Sequence, residues 1–526
     1  MTLHRVNAAA AAAALACLAA FGATPAGAAP SPSPSPSPSP SPDRPSGPGP
    51  ATPPRFVPGA CPKTPEPIAA LATARCGFLV VPENRTRPGG RTIKLAVAVI
   101  KSASAKPAPD PVVFMAGGPG GDTFDDIPFL IDSGLNKDRE LIVMAQRGNL
   151  YDQPNLACPE VDRFNEKAVG FGWDAPAAKQ LMLKAFRQCR ARLTADGTDL
   201  SAYNSTENAA DFADLRTALG IAQWNVYGYS YGTNLGLAYL RLHPRGIRSL
   251  AIDSVSPPQV TKLPWGWPSA REGIDNTFDA CAAEPACKSR YPDLRKTLNE
   301  QVRRLEAKPL TLNATPPGGG TPVKVVLDGG ALLNLMVGFN VKPKDLPAAL
   351  DELARGNPER FAQGRAKDSV QPVGIAAHGL TQSVACSEWV PGTSESQVLA
   401  AGRDAFPTWP ESVLVQTPQL PFEYDVCGVW NVASNAARHR VATVSSVPAL
   451  VISGSFDMKT GASYARDAAR TLSRSTSVLI PGIGHWVVPQ SPCAQSVLAS
   501  FLAHPTAPDT SCVAGLKPAP FTIVPK

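Results

Sequence analysis

Residues 225–233 read Asn-Val-Tyr-Gly-Tyr-Ser-Tyr-Gly-Thr and contain the pattern Gly-x-Ser-x-Gly around Ser230. A bare match arises easily by chance in a chain with 42 glycines, so the flanking residues matter. A short apolar run, 224–227, precedes the pattern, and a run with helical periodicity, 234–243, follows it. A serine between small residues at a strand-to-helix turn projects its hydroxyl away from the backbone, at the positive end of the helix. This context predicts that Ser230 is a nucleophile.

Further apolar runs predict a sheet around this turn. They are continuous rather than alternating, as expected of parallel strands covered by helices on both faces, and they comprise 112–115, 141–144, 224–227, 249–253, 449–453 and 477–480. Helical patterns lie between them, for example at 207–219 and 461–472. Two earlier runs, 77–81 and 92–100, alternate more and predict an antiparallel hairpin at the sheet edge. Strands interleaved with helices predict an α/β fold with a doubly wound, mostly parallel sheet.

The predicted alternation of strands and helices stops between about residues 258 and 445. This region holds four cysteines and is rich in helix formers, as at 293–307, 343–355 and 359–365. It predicts a mainly helical cap that is inserted into the sheet and covers the active site, the alternative being a separate domain of unrelated function. The predicted organisation is a signal peptide, a Ser/Pro-rich linker, a first core segment, the cap and a second core segment, at 1–28, 29–55, 56–257, 258–445 and 446–526.

The amino terminus has the pattern of a signal peptide. Arg5 supplies a basic residue, 8–21 is apolar and rich in alanine, and Ala-Gly-Ala at 26–28 offers a cleavage site. The apolar run is too short and too weakly apolar to span a bilayer, so we expect export and cleavage, and no membrane anchor. Lipidation of Cys17 is not expected, because alanine stands three positions earlier, where a lipoprotein site has a leucine-like residue.

The segment after the signal is a spacer by composition. Six Ser-Pro repeats occupy residues 31–42, and a tract rich in proline, glycine and serine continues to residue 54. Such a composition buries nothing and favours extended polyproline II geometry, which makes a semi-rigid spacer. We therefore expect a secreted protein, with association with the cell wall as an open alternative.

Ten cysteines remain after the signal, and an even number in an exported chain predicts disulfide bonds. A zinc site is not expected, since the chain lacks a Cys-x-x-Cys pair and its six histidines are scattered. The net charge of +7 is mild and the basic residues form no run, so no nucleic acid partner is expected. Spacing alone cannot decide connectivity, but it suggests pairs between neighbours in sequence: Cys61 with Cys76, Cys158 with Cys189, Cys281 with Cys287, Cys386 with Cys427, and Cys493 with Cys512.

A serine nucleophile needs a base that takes its proton and an acid that orients the base. His485 is the best placed histidine, because it follows the predicted strand 477–480 and two glycines precede it in its loop. Asp457 follows the predicted strand 449–453, where the acid is expected in a Ser, Asp, His order. Less well placed rivals for the two roles are Asp425, Asp467, His243, His378, His439 and His504.

The tetrahedral intermediate of acyl transfer needs two N–H donors for its oxyanion. One is expected from the backbone of Tyr231, the residue after the nucleophile. The other is expected from the loop at 116–121, Ala-Gly-Gly-Pro-Gly-Gly, since glycine lets a backbone approach a substrate closely. Gly118 is the preferred donor and Gly117 the alternative. A phosphate-binding loop would contain Gly-x-x-x-x-Gly-Lys-Ser/Thr, which is absent, and we expect no cofactor and no metal.

At this point the chain resembles the prolyl aminopeptidase-like α/β-hydrolases, and more closely the secreted tripeptidyl aminopeptidases of actinobacteria. The resemblance covers about residues 60–512. The motifs that carry it are Gly-Gly-Pro-Gly at 117–120, the nucleophile motif at 225–233, Gly-Ser-Phe-Asp at 454–457, Gly-His at 484–485, Arg-Cys-Gly-Phe-Leu-Val-Val-Pro at 75–82 and Asn-Ala-Ala-Asp-Phe-Ala-Asp-Leu-Arg at 208–216. It implies a serine exopeptidase or related esterase, with Ser230, Asp457 and His485 as nucleophile, acid and base. It also implies a cap that measures the distance from a peptide's free amine to the scissile bond.

The chain departs from that family at three places. Ala116 stands where the family often has His before Gly-Gly-Pro-Gly. The loop Ala-Gln-Arg-Gly at 145–148 lacks the family's aspartate, so we expect Arg147 to lose a carboxylate partner. Met-Lys-Thr-Gly at 458–461 stands where the family commonly has a proline-rich sequence.

An aminopeptidase also needs a carboxylate that meets the substrate ammonium. Glu388 is the candidate, because Cys386 could fix its loop, and a solvated or structural glutamate is the alternative. Cleavage of peptides from the amino terminus is therefore the first hypothesis for the substrate. Ester hydrolysis by the same machinery is the second, and a catalytically silent binding protein on the same fold is the third.

Overall fold

The computed structural model describes residues 53–87, 89–418 and 421–525. The predicted signal peptide and most of the predicted linker lie outside the described residues. The strands of the described residues are β1 Arg55–Pro58, β2 Arg75–Pro82, β3 Thr92–Ile100, β4 Val112–Met115, β5 Leu141–Met144, β6 Trp224–Tyr229, β7 Ile247–Asp253, β8 Leu310–Ala314, β9 Val323–Leu327, β10 Ala449–Gly454 and β11 Ser475–Ile480.

Nine of these strands form one sheet, in the order β1-β2-β3-β5-β4-β6-β7-β10-β11. The six strands from β5 to β11 in that order pair in parallel, and β1, β2 and β3 form an antiparallel edge. All six predicted apolar runs lie in the parallel strands, and β2 with β3 is the predicted hairpin. The residues of β4 and β5 are buried throughout, because helices cover both faces of the sheet. The predicted α/β doubly wound fold is confirmed.

The helices alternate with the strands of the sheet and dominate the region between β7 and β10. Short 3-10 turns lie at Ala69–Ala72, Leu200–Ala202, Pro343–Asp345, Asp368–Val370, Val488–Gln490 and Ser511–Gly515, and a π-helix at Ala385–Trp389. The α-helices of the described residues are α1 Ile127–Asp132, α2 Pro159–Ala168, α3 Pro176–Ala195, α4 Ser205–Ala218, α5 Tyr231–Leu242, α6 Lys262–Ala283, α7 Pro285–Arg290, α8 Leu294–Ala307, α9 Gly329–Val337, α10 Leu346–Ala354, α11 Glu359–Lys367, α12 His378–Val384, α13 Glu395–Ala405, α14 Glu411–Leu414, α15 Glu423–Trp430, α16 Ala436–His439, α17 Ala462–Ala469 and α18 Pro492–Ala503.

The chain leaves the sheet after β7 and returns to it at β10. The two strands are direct neighbours, with Ala449 opposite Leu250. Between them lie helices α6 to α16 and an antiparallel pair, β8 with β9, which the sequence pattern did not predict. The exact boundaries of the inserted cap remain a prediction.

Five disulfide bonds connect the ten cysteines of the described residues in the pairs suggested by their spacing. The bond between Cys386 and Cys427 closes 41 residues and joins the π-helix to α15. Separately, none of the helices in the described residues combines the length and the apolar character needed to cross a membrane.

The expectation that Arg147 lacks a carboxylate partner is wrong. Its guanidinium forms two parallel hydrogen bonds of 2.8 Å with the carboxylate of Asp211, and both side chains are fully buried. The guanidinium also donates to the carbonyl oxygens of Glu83 and Ala202. Because α4 supplies the carboxylate, the aspartate missing from the loop at 145–148 is replaced by one 64 residues away in sequence.

Candidate active site

Ser230 lies in the turn between β6 and α5, with φ 53° and ψ −123°. Residues other than glycine rarely adopt positive φ, and such strain persists only where surrounding contacts determine the backbone. Here the Ser230 N–H donates to the Asp253 carbonyl at 3.0 Å, and the Ser230 carbonyl accepts from Thr233 Oγ1 at 2.6 Å. The side chain of Ser230 stays half-buried between a buried strand and a buried helix.

Both glycines of the motif are required by close backbone contacts. A Cβ on Gly228 would lie 2.5 Å from the carbonyl oxygen of Gly232. A Cβ on Gly232 would lie 1.9 Å from the carbonyl oxygen of Met115, at the end of β4. Helix α5 therefore packs backbone to backbone against the loop that follows β4. These contacts fix the position of Ser230 relative to the glycine-rich loop.

That glycine-rich loop lies directly beside Ser230. A Cβ on Gly117 would lie 3.1 Å from the Cβ of Ser230, and Gly118 has φ 109°, a conformation that favours glycine. Among the described residues, no acceptor is hydrogen-bonded to the backbone N–H of Gly118 or of Tyr231. If Ser230 is the predicted nucleophile, two unpaired donors beside it are what a developing oxyanion requires. Their joint role remains a prediction.

The structure brings Asp457 and His485 together, with His485 Nδ1 2.8 Å from Asp457 Oδ2. Asp457 is 1% exposed, and its carboxylate also accepts from the N–H groups of Lys459 and Thr460 and from the Thr460 hydroxyl. Burial alone would raise the pKa of Asp457, but the adjacent His485 and these hydrogen bonds lower it overall. The carboxylate is thus ionised at neutral pH and able to orient the imidazole.

The loop that carries His485 is attached to the end of β6 by Trp486. The indole stacks on Tyr229 with ring centroids 4.2 Å apart and planes at 12°, so the residue after His485 contacts the residue before Ser230. Asp253, at the end of β7, accepts from the N–H groups of the next two residues of the loop, each at 2.9 Å. Sequence reasoning did not find Trp486 or Asp253, because their contacts are long-range.

Ser230 Oγ makes no hydrogen bond with any described residue. Hydrogen bonds of catalytic groups are often long without substrate and tighten only in the complex. The ring of Phe339 stacks on His485 with centroids 6.3 Å apart and planes at 15°, and Gly484 packs against the same ring. The imidazole is therefore held between Asp457 on its Nδ1 side and an aromatic ring from the cap region.

A cavity of about 410 Å³ lies beside α12, the helix that contacts the glycine-rich loop. Residues of α2, α3, α12 and α15 line it, mainly apolar on α2 and α3 and polar on α12, and the predicted triad residues do not. Thr381, in its wall, donates to the carbonyl oxygen of Pro119 at 2.7 Å, and Ala377 N–H donates to that of Gly120 at 2.7 Å. The cavity is thus connected to the oxyanion loop through α12.

The candidate for ammonium binding, Glu388, is fully buried in the π-helix and does not line this cavity. Its carboxylate accepts from the Ser205 N–H and hydroxyl, each at 2.7 Å, and from Asn435 at 3.0 Å. The Ser205 hydroxyl also meets the Tyr231 hydroxyl at 2.8 Å. Glu388 therefore lies behind the nucleophile turn, where it joins α4 to Tyr231.

Glu423 is a carboxylate that sequence reasoning missed. It lines the cavity, is 5% exposed, and accepts from Gln382 Nε2 at 2.6 Å. Burial raises its pKa to about 7. A signal was present in the sequence, since Glu423 lies four residues before Cys427, but nothing local distinguishes it from Glu388 beside Cys386.

Three of the rivals of Asp457 and His485 are engaged elsewhere. Asp467 accepts from Gln259 and pairs with Arg470, Asp425 pairs with Lys179, and His378 is bonded to Asp162. Cys386, Glu423 and Cys427 also come close enough together to suggest a metal site. The two sulfurs are joined to each other, so neither is a thiolate, and the group does not suit a metal ion.

Two family profiles match the chain. The profile described as alpha/beta hydrolase fold covers residues 110–309, and the profile described as TAP-like protein covers 418–513. Tripeptidyl aminopeptidase of Streptomyces coelicolor is 27% identical over 217 residues, which are 39% of this chain and 39% of that protein. The chain thus matches about two fifths of the length of that relative.

A longer match is found with the serine protease Hip1 of Mycobacterium tuberculosis, 24% identical over 469 residues, 83% of this chain and 86% of that protein. A solved structure of proline iminopeptidase from Mycobacterium smegmatis is 19% identical, with coverage of 82% and 98% and a TM-score of 0.36. At that score the structural likeness carries no argument, and the fold rests on the sheet order and the profiles. The predicted resemblance to these hydrolases is confirmed.

Proposed function

We propose that this chain, an α/β-hydrolase with a TAP-like carboxyl-terminal segment, is an exported serine hydrolase that cleaves peptides from the amino terminus. The observation that carries the proposal is the strained turn at Ser230, beside two unpaired N–H donors and linked through the Tyr229–Trp486 stack to the loop of the bonded Asp457–His485 pair. The five disulfide bonds support export, because such bonds persist in oxidising compartments.

In the proposed reaction Ser230 Oγ attacks the carbonyl carbon of the scissile bond, and His485 takes the hydroxyl proton. Asp457 holds the imidazole in the required tautomer and stabilises its charged form. The N–H groups of Gly118 and Tyr231 bind the oxyanion of the tetrahedral intermediate. His485 then gives its proton to the leaving amine, and a water molecule, deprotonated by His485, hydrolyses the acyl-enzyme.

The cavity beside the oxyanion loop is the proposed binding site for the free amino terminus of the substrate. We propose that Glu423, rather than Glu388, meets the substrate ammonium. Glu423 lines the cavity, while both oxygens of Glu388 already accept hydrogen bonds from protein groups. An ammonium beside Glu423 would favour its ionised form and offset the burial that raises its pKa to about 7.

A fluorophosphonate probe tests the nucleophile. We expect the protein to be labelled and the Ser230→Ala variant to remain unlabelled. Absence of labelling in the natural protein would favour a silent binding protein on the hydrolase fold.

The peptidase and esterase hypotheses separate on matched substrates. We expect tripeptide anilides with a free amine to be cleaved much faster than their N-acetylated counterparts, and Glu423→Gln to reduce that difference while Glu388→Gln leaves it. Equal cleavage of free and acetylated substrates would refute the aminopeptidase hypothesis and leave ester hydrolysis as the better supported activity.

A further inference from the structure

One half-buried lysine lies beside the predicted triad, and a second lies within electrostatic range of the cavity wall. Lys459 follows Asp457 by two residues, and its ammonium lies 5.6 Å from the ring centroid of Phe339, the ring that stacks on His485. Lys262, the first residue of α6, places its ammonium 3.8 Å from the ring centroid of Trp389. The two ammonium groups repel each other, and Lys262 is also within electrostatic range of Glu423 in the cavity wall.

Neither lysine has an ion-pair partner among the described residues. No carboxylate oxygen lies within 4.0 Å of either ammonium, and neither ammonium donates a hydrogen bond to another described group. Both side chains are half-buried, and burial lowers the pKa of each, that of Lys262 to about 8. The nearest carboxylates, Glu423 for Lys262 and Asp457 for Lys459, act on them only from beyond ion-pair distance. Two desolvated and mutually repelling cations without a direct ion pair are unfavourable, so an anion bound by both would be stabilised.

From this placement we propose that Lys262 and Lys459 bind a carboxylate of the substrate, so that the enzyme prefers substrates with an acidic group next to the scissile bond. Lys459 is attached to the same loop as Asp457 and lies over the ring that covers His485, so a substrate group bound beside the imidazole comes within reach of its ammonium. Lys262 supplies the second ammonium, which is within electrostatic range of Glu423 in the cavity wall. The substrate class rests on the proposed function, but recognition of the anion does not depend on a free amine.

The alternative is that the two lysines only pack against aromatic rings. A cation over a ring is itself stabilised, and Trp389 holds Lys262 in this way. Packing alone does not place two like charges together beside the triad, and it predicts no dependence of turnover on substrate charge. The packing alternative and the proposed anion site therefore differ in whether turnover depends on the charge of the substrate.

Two substrate pairs test the proposal. The first pair is Ala-Ala-Glu anilide and Ala-Ala-Gln anilide, which differ in one charge. The second is p-nitrophenyl hemisuccinate and p-nitrophenyl butyrate, in which a carboxylate replaces a methyl group. We expect kcat/KM to be about tenfold higher for the acidic member, the scale of one charge-assisted hydrogen bond. Lys459→Met and Lys262→Met should each reduce this ratio, the double variant should bring it to about one, and Lys459→Arg should keep it.

Lys296→Met is the matched control, because that lysine is 69% exposed on α8 and should leave the ratio unchanged. The rate of fluorophosphonate labelling and turnover of the neutral ester show that the triad is intact in each lysine variant. Calorimetric binding of glutarate to Ser230→Ala, with and without the two lysines, tests the anion site without turnover. Any of three results would overturn the proposal. The natural protein could show a ratio of one for both pairs, the double variant could keep a ratio above one, or the affinity for glutarate could be the same with and without the two lysines. An acid preference seen only on the esters would retain the anion site and reject the exopeptidase.

Discussion

Replacing Gly232 with alanine tests the packing that positions the nucleophile. The added Cβ would lie 1.9 Å from the Met115 carbonyl oxygen, whereas ordinary contacts begin near 3.4 Å. Helix α5 and the loop after β4 must therefore separate by about 1.5 Å, the difference between these two distances. Both partners are backbone, so no side chain can rotate away to relieve the contact.

Two terms set the expected magnitude. Overpacking of this kind costs about 1–3 kcal/mol, and the higher helix propensity of alanine offsets up to about 1 kcal/mol. A displacement of about 1 Å at reacting groups can cost about a hundredfold in rate. We expect Gly232→Ala to lower the free energy of unfolding by about 2 kcal/mol and the rate of fluorophosphonate labelling by about a hundredfold.

The control is Gly236→Ala, one turn further along α5. There the nearest atom to the added Cβ is the Leu250 Cδ1 atom, 3.2 Å away, which can move by a small side-chain rotation. Chemical denaturation should show a change within about 1 kcal/mol, and labelling should match the natural protein. If Gly232→Ala were as stable and as reactive as Gly236→Ala, the backbone contact between α5 and the loop would not position Ser230 as argued.

Three further predictions concern buried charges. Asp457→Asn should lower kcat/KM by about 10³–10⁴-fold with little change in KM, measured on the best anilide or ester substrate, because the imidazole loses the group that fixes its tautomer. Asp211→Asn should destabilise the protein by about 3 kcal/mol in chemical denaturation, since it removes the buried carboxylate that Arg147 shares with Arg85 and leaves Arg147 only Glu207, 3.5 Å away; a loss below about 1 kcal/mol would contradict that reasoning. Burial raises the pKa of Glu423 to about 7 from an ordinary value of 4.5, so its contribution to stability is present below pH 4.5 and is lost as the pH rises through 7. Glu423→Gln should therefore gain on the order of 3 kcal/mol relative to the natural protein between pH 4.5 and 8, and parallel pH profiles for the two proteins would reject this origin.

Local patterns were sufficient to predict the sheet and to select Asp457 and His485, which the structure brings within hydrogen-bond distance. The apolar runs of β4 and β5 are buried on both faces, and this produces the continuous pattern that predicts parallel strands. The glycines of the nucleophile motif, likewise, encode a close contact that only their small size allows. Such features are readable because each leaves its mark on a short stretch of sequence, even where the contact itself is long-range, as between Gly232 and Met115.

Features that depend on contacts between distant segments were not predictable. The partner of Arg147 is one of many acidic residues, and only the docking of α4 selects Asp211. Glu388 and Glu423 lie near the two ends of one disulfide bond, and the burial of each is decided by which helix face turns inward. The sequence pattern therefore indicated a carboxylate near this bond without indicating which one reaches the cavity.

The neighbouring positions of β7 and β10 have a consequence for the order in which the protein becomes active. β7 ends at residue 253 and β10 begins at 449, so about 195 residues must be made before the open edge of β7 receives its partner. At about 5–20 residues per second, synthesis of that stretch takes roughly 10–40 s. Asp457 and His485 follow β10 and β11, so the nascent chain carries Ser230 for this whole interval without the proposed base. We expect the growing chain to be unable to cleave other proteins until its last strands are in place. This delay follows from the order of the segments along the chain and needs no removable inhibitor.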